Sequence, residues 1–127
     1  MNLLGIDFEE WYHPELIQPY IKNQKTTPKI IAGIDKILNL LRKNDALATF
    51  FVVGELLEHT PELLDKIIDN GHEIGFHGNK HLFLEEIDKK QFHNDINKFL
   101  SFIKSINHNT NVYGYRAPNF SLNQNTS

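Results

Sequence analysis

The stretch ATFFVVGELLEHTPELLDKIIDNGHEIGFH, residues 48–77, decides the fold. Its opening, Ala48 to Val53, is β-branched and aromatic and stops at Gly54, the composition of a central buried strand. Thr60-Pro61 then pairs an N-cap residue with proline at the first helical position. Leu63, Leu64, Ile67 and Ile68 supply an apolar face, and Asn70-Gly71 supplies a left-handed stop. His72 to His77 follows as a short third strand, weakened in propensity by its glycine and its charge. Strand, helix, strand is a βαβ unit, which implies parallel pairing through a right-handed crossover.

The same alternation extends in both directions. Leu3 to Phe8 is a short apolar run ended by charge, a first strand that delivers carboxylates at its C-terminal end. Residues 13 to 27 hold Pro14, Pro19 and a polar Lys-Asn-Gln-Lys stretch with no sustained period, and read as a long rim loop. Thr27-Pro28 opens a first helix from about Pro28 to Lys43, with Ile30, Ile34, Ile37, Leu38 and Leu41 at helical spacing. Asp88 caps a long third helix whose Phe92, Ile96, Phe99, Leu100, Ile103 and Ile106 face one side. Val112 to Arg116 reads as a fourth strand, and the polar residues 121–127 as a frayed end. The class is α/β, with about four parallel strands and three helices in one domain over residues 1–127. Four β/α units are about half of the eight in a complete barrel, so the expected architecture is an open sheet or a truncated barrel.

Composition removes several kinds of function. No apolar run approaches the roughly 20 residues of a membrane helix. The net charge is -3, and its Lys and Arg are interspersed among Asp and Glu, so no basic stripe for nucleic acid is present. Without cysteine, any bound metal must be held by histidine and carboxylate. Asp7 and the Glu9-Glu10 pair interrupt what could have been a signal-peptide core, so a cytoplasmic location is expected.

In parallel α/β folds, reactive groups gather at the C-terminal ends of strands. Asp7 and Glu9 close strand one, His77 closes strand three with His81 just beyond, and Arg116 closes strand four. His77-Gly78-Asn79-Lys80-His81 places two imidazoles four residues apart, near enough after one turn to bind one ion. A carboxylate from strand one would complete a two-histidine, one-carboxylate set with positions left open for water and substrate.

With these residues in view, the chain resembles the polysaccharide deacetylase family, the NodB homology domain of carbohydrate esterase family 4. Residues 48–54 followed by residues 71–81 are similar to that family's core and metal motif, and Tyr115-Arg116-Ala117-Pro118-Asn119-Phe120 is similar to its arginine motif. Asp7-Phe8-Glu9-Glu10-Trp11-Tyr12 departs from the commoner pair of adjacent aspartates and resembles the Asp-x-Glu-Asp-aromatic branch found among exopolysaccharide-linked deacetylases. The resemblance implies the N-terminal part of a distorted (β/α)7 barrel, a divalent metal that is commonly zinc, a carbohydrate substrate and hydrolysis of an N-acetyl group. It makes Asp7 the base that activates water, Arg116 the partner of that base, and His77 and His81 metal ligands. Glu9, on the same strand face as Asp7, is preferred to Glu10 as the carboxylate ligand.

In the family a histidine late in the domain protonates the leaving amine. No segment after Arg116 holds that motif, so the domain is expected to be truncated at its C-terminal end. Two other functions stay open: hydrolysis of another C–N bond, as in allantoinase-like relatives, and a non-catalytic metal-binding fragment. Trp11, Tyr12 and Phe120 could stack on pyranose faces or simply pack. His13 could line a sugar site or be a surface-loop histidine. His72 receives no metal role, and His59, His93 and His108 are expected to be solvated.

Overall fold

The computed structural model describes residues 3–22 and 25–124. Three short strands, β1 (Gly5–Phe8), β2 (Thr49–Val52) and β3 (Glu73–Phe76), form a parallel sheet in the order β1-β2-β3. Register runs from Gly5 opposite Thr49 to Phe8 opposite Val52, and from Thr49 opposite Glu73 to Val52 opposite Phe76. Among the described residues the α-helices are α1 (Gln18–Ile21), α2 (Ile30–Lys43), α3 (Gly54–His59), α4 (Glu62–Asp69) and α5 (Lys89–Ile106). None is long and apolar enough to cross a membrane.

Strand alternation sorts the sheet into two faces. Phe8, Phe50, Val52, Ile74 and Phe76 are buried in one core with Ile34, Leu38 and Leu41 of α2, Leu63, Leu64 and Ile67 of α4, and Phe99 and Ile103 of α5. Helical spacing in the sequence therefore identifies the covering layer. Asp7, Phe51 and Gly75 alternate to the opposite face, where Arg116 arrives. Two helix ends form as read: Asp88 accepts the Gln91 N–H at 2.7 Å to start α5, and Gly71, with φ at +80°, ends α4.

Four readings need correction. The fourth strand contracts to a single parallel bridge between Phe76 and Tyr115, made by the Phe76 N–H to Gly114 O and the Arg116 N–H to Phe76 O, both at 2.9 Å. Gly114 weakens the strand interior, and Pro118 has no N–H with which to lengthen the ladder. The rim loop contains α1, a single turn too short to show a period, while Asn23, Gln24 and residues 125–127 lie outside the described residues. The segment after β2 is helical: α3 buries Leu56 and Leu57. Thr60 serves this helix rather than α4, its hydroxyl donating back to Leu56 O at 2.7 Å.

Thr27 does not cap α2 either. The helix starts at Ile30 without a cap from its own N-cap side chain. Glu10, only 1% exposed, reaches across from the β1 exit and accepts the N–H groups of Lys29 at 2.8 Å and Ile30 at 3.1 Å. A carboxylate at a helix N-terminus satisfies orphan amides and meets the positive end of the dipole. Glu10→Ala is therefore expected to cost about 2 kcal/mol, the scale of a lost cap with charge-assisted bonds. Urea denaturation would show it, and an unchanged midpoint would contradict the capping role.

Candidate active site

The C-terminal ends of the strands converge on one cluster. Asp7 lies within β1, and Glu9 follows the strand's last residue. His77 follows β3, where its N–H donates to Val52 O at 2.9 Å. The chain then turns through Gly78, with φ at +80°, and reaches His81, which sits in the left-handed region at φ 55°. A non-glycine residue held there is strained and must be fixed by its surroundings. The first amides of α3 provide part of that restraint: Gly54 N–H donates to Gly78 O at 2.9 Å, and Glu55 N–H to Asn79 O at 3.0 Å.

Glu9, His77 and His81 each present a ligand atom, and these atoms lie within 4.8 Å of one another. His77 Nδ1 donates to the Arg116 carbonyl at 2.7 Å, which leaves the Nε2 lone pair free. Burial pulls the His77 pKa below the usual histidine value, opposed by the Arg116 carbonyl and by Asp7, so the ring is disposed to stay neutral. His81 Nε2 lies 2.8 Å from Glu9 Oε2. That approach lacks hydrogen-bond geometry, and Glu9 Oε2 is buried with no hydrogen-bond partner among the described residues. Buried polar atoms are ordinarily satisfied, so a carboxylate oxygen aimed without a donor at two imidazoles fits a shared cation.

Asp7 stands beside this set. Its Oδ1 accepts from Arg116 Nη1 at 2.5 Å, and its Oδ2 is 3.8 Å from His77 Nε2. The guanidinium lies over the Phe51 ring, 4.1 Å from the centroid, a cation–π contact. Two glycines clear the space. A Cβ on Gly5 would meet Arg116 Nη2 at 2.1 Å, and one on Gly75 would meet the Phe51 ring at 2.6 Å.

Asp7, Glu9, His77, His81 and Arg116 are thus brought together, whereas Glu10 points away to cap α2. His13 is not a surface histidine: it is buried against His81, with its ring nitrogens on Glu10 N–H and near Glu55. That pairing joins residues far apart in sequence and leaves no local signal. Trp11 and Phe120 are exposed, at 43% and 91%, and Tyr12 is partly covered. His72 is buried beside Phe50, where Nδ1 accepts the Ala48 N–H at 3.4 Å, and His59, His93 and His108 are exposed.

Comparison with known proteins identifies the family and the fold. The family model described as polysaccharide deacetylase matches residues 28–127. A peptidoglycan-N-acetylglucosamine deacetylase of Bacillus cereus is 38% identical over 61 residues, covering 48% of this chain and 29% of the relative. The peptidoglycan-N-acetylmuramic acid deacetylase PdaC of Bacillus subtilis is 33% identical over 85 residues, 67% of this chain and 17% of that protein. The solved structure of Bacillus subtilis PdaC superposes with a TM-score of 0.72 at 25% identity, covering 98% of this chain and 52% of that one. A carbohydrate esterase family 4 pseudoenzyme from Bacillus anthracis superposes at 0.73 with 19% identity, over 98% of this chain and 37% of its own, and shares the fold. The chain therefore spans less than a third of these two sequence relatives and about half of the PdaC structure.

Proposed function

The chain belongs to the polysaccharide deacetylase family, and on that premise we propose that it carries the metal site and the base of an enzyme hydrolysing the N-acetyl group of an amino sugar in a polysaccharide. Peptidoglycan, the polymer named for the matched relatives, is the first substrate to try. Glu9, His77 and His81 would hold a divalent cation, and an N2O donor set with open positions suits zinc. When bound, such an ion supplies Lewis acidity, polarising an acetyl carbonyl and acidifying water.

The chain's own groups do the rest. His77 is oriented by its Nδ1–H on the Arg116 carbonyl, as metal-ligating histidines commonly are by an outer partner. Arg116 engages Asp7 Oδ1, which leaves Oδ2 facing the histidines as a proton acceptor for water attacking the amide. One observation carries the reading: three ligand atoms within 4.8 Å of one another, with an arginine-held carboxylate 3.8 Å from the nearest imidazole. The test is acetate release from N-acetylated chitooligosaccharides and peptidoglycan by the full-length protein. Release is expected to stop on chelation and return with Zn²⁺. Turnover of allantoin without acetate release from either glycan would replace the reading with cleavage of another C–N bond.

A further inference from the structure

The His81 ring poses a problem that the His77 ring does not. His77 is locked by its bond to the Arg116 carbonyl. His81 Nδ1 is buried with no hydrogen-bond partner among the described residues, and its backbone occupies the left-handed region at φ 55°. If Nε2 is the ligating atom, nothing bonded to the ring itself fixes its orientation. We propose that His13, anchored by Glu10 and Glu55, is a positioning residue that holds His81 and the Glu9 loop in ligating geometry; this rests on reading Glu9, His77 and His81 as the metal site.

The geometry is specific. The His13 and His81 rings are offset-stacked, with centroids 6.2 Å apart and planes 16° from parallel. Tyr12 closes on His13 edge-on at 5.0 Å. His13 Nδ1 accepts the Glu10 N–H at 3.1 Å, which places the ring proton on Nε2, 3.0 Å from Glu55 Oε1. The His13 side chain beside it draws the Glu55 carboxyl below its usual pKa, against the opposing effect of burial. The ring is thereby hydrogen-bonded to backbone at Nδ1, while at Nε2 it lies in close contact with the Glu55 carboxylate without hydrogen-bond geometry.

Those ties reach the two loops that deliver ligands. On one side, the His13 N–H donates to Glu10 O at 2.9 Å while its ring receives the Glu10 N–H, closing the turn that begins directly after Glu9. On the other, Glu55 lies in the first turn of α3, and its N–H holds Asn79 O in the loop that ends at His81. One imidazole thus couples the exits of β1 and β3 at the point where their ligands must meet. Neighbours of this kind commonly change metal affinity by about 10–100-fold when removed.

The test is Co²⁺ titration of the full chain, followed by visible absorption. His13→Phe keeps a stacking ring and removes both nitrogens, Glu55→Ala removes the group beside Nε2, and Glu55→Gln keeps a side-chain oxygen in contact with His13 Nε2. The first two are expected to weaken Co²⁺ binding at least ~10-fold and to change the d–d bands at saturating metal, with Glu55→Gln close to the parent. A merely structural role would lower the unfolding midpoint and leave the saturated spectrum unchanged. Should His13→Phe fail to fold, Glu55→Ala, at a partly exposed position, decides. Parent-like affinity and spectrum in the foldable variants, with binding still abolished by His77→Ala, would overturn this inference alone. No Co²⁺ binding by the parent would overturn the metal-site reading, and the inference with it.

Discussion

Asp7→Asn is expected to keep the metal and lose at least ~100-fold in turnover, the usual scale for removing a general base. The substitution preserves shape and an oxygen that can face Arg116 Nη1, so the Arg116–Phe51 packing has no steric reason to move. What disappears is the proton acceptor. Asp7 lies 3.8 Å from His77 Nε2 and is not among the three groups whose ligand atoms converge, so loss of its charge should leave the coordinating set intact. Acetate release and metal content measured on the same preparation separate the two roles. Near-parental release would reject Asp7 as the base, and a parallel loss of metal would make it a ligand.

Glu9→Ala should do the reverse. The carboxylate is one of three protein donors, and its Oε2 has no hydrogen-bond partner among the described residues, so no local bond replaces what the cation loses. Affinity for Zn²⁺ is expected to fall by more than ~100-fold, beyond the range usual for outer-shell partners. Calorimetry on Glu9→Ala and Glu10→Ala side by side is the informative comparison. The neighbouring glutamates differ by one position yet perform unrelated tasks, because strand alternation sends Glu9 towards the histidines while Glu10 turns back to the amides of Lys29 and Ile30. Loss of metal in Glu10→Ala with retention in Glu9→Ala would reverse the assignment.

This contrast also shows what the sequence could reveal. The Phe and Val run of β2, the helical spacing of Ile34, Leu38 and Leu41, and the Asn70-Gly71 stop are local patterns, and each appears in the structure as read. The strand-end placement of Asp7, Glu9, His77, His81 and Arg116 follows from that framework. The misses have two physical causes: some partners, such as Glu10 and Glu55, are remote in sequence, and some segments are too short or too interrupted to show a pattern. Thr27 and Thr60 have N-cap chemistry, but Glu10 supplies the acceptor for α2, and the Thr60 hydroxyl turns back to Leu56. The α3 helix is too short to show a period, yet its first amides hold the loop between His77 and His81. Val112 to Arg116 has the composition of a strand, but Gly114 and Pro118 reduce its pairing to one bridge. For His13 the sequence leaves a sugar-site role and a surface-loop histidine both open, and gives no sign that it is buried beside Glu55.

The central claim is that the exits of β1 and β3 together build one metal site. Anomalous diffraction at the zinc edge, from crystals of the chain grown with Zn²⁺, tests it most directly. The account predicts one peak about 2.0–2.2 Å from a Glu9 carboxylate oxygen, His77 Nε2 and His81 Nε2, with Asp7 beside it and still paired to Arg116. A peak coordinated by Asp7 in place of Glu9, or a bound zinc from which the His81 ring has turned away, would contradict it.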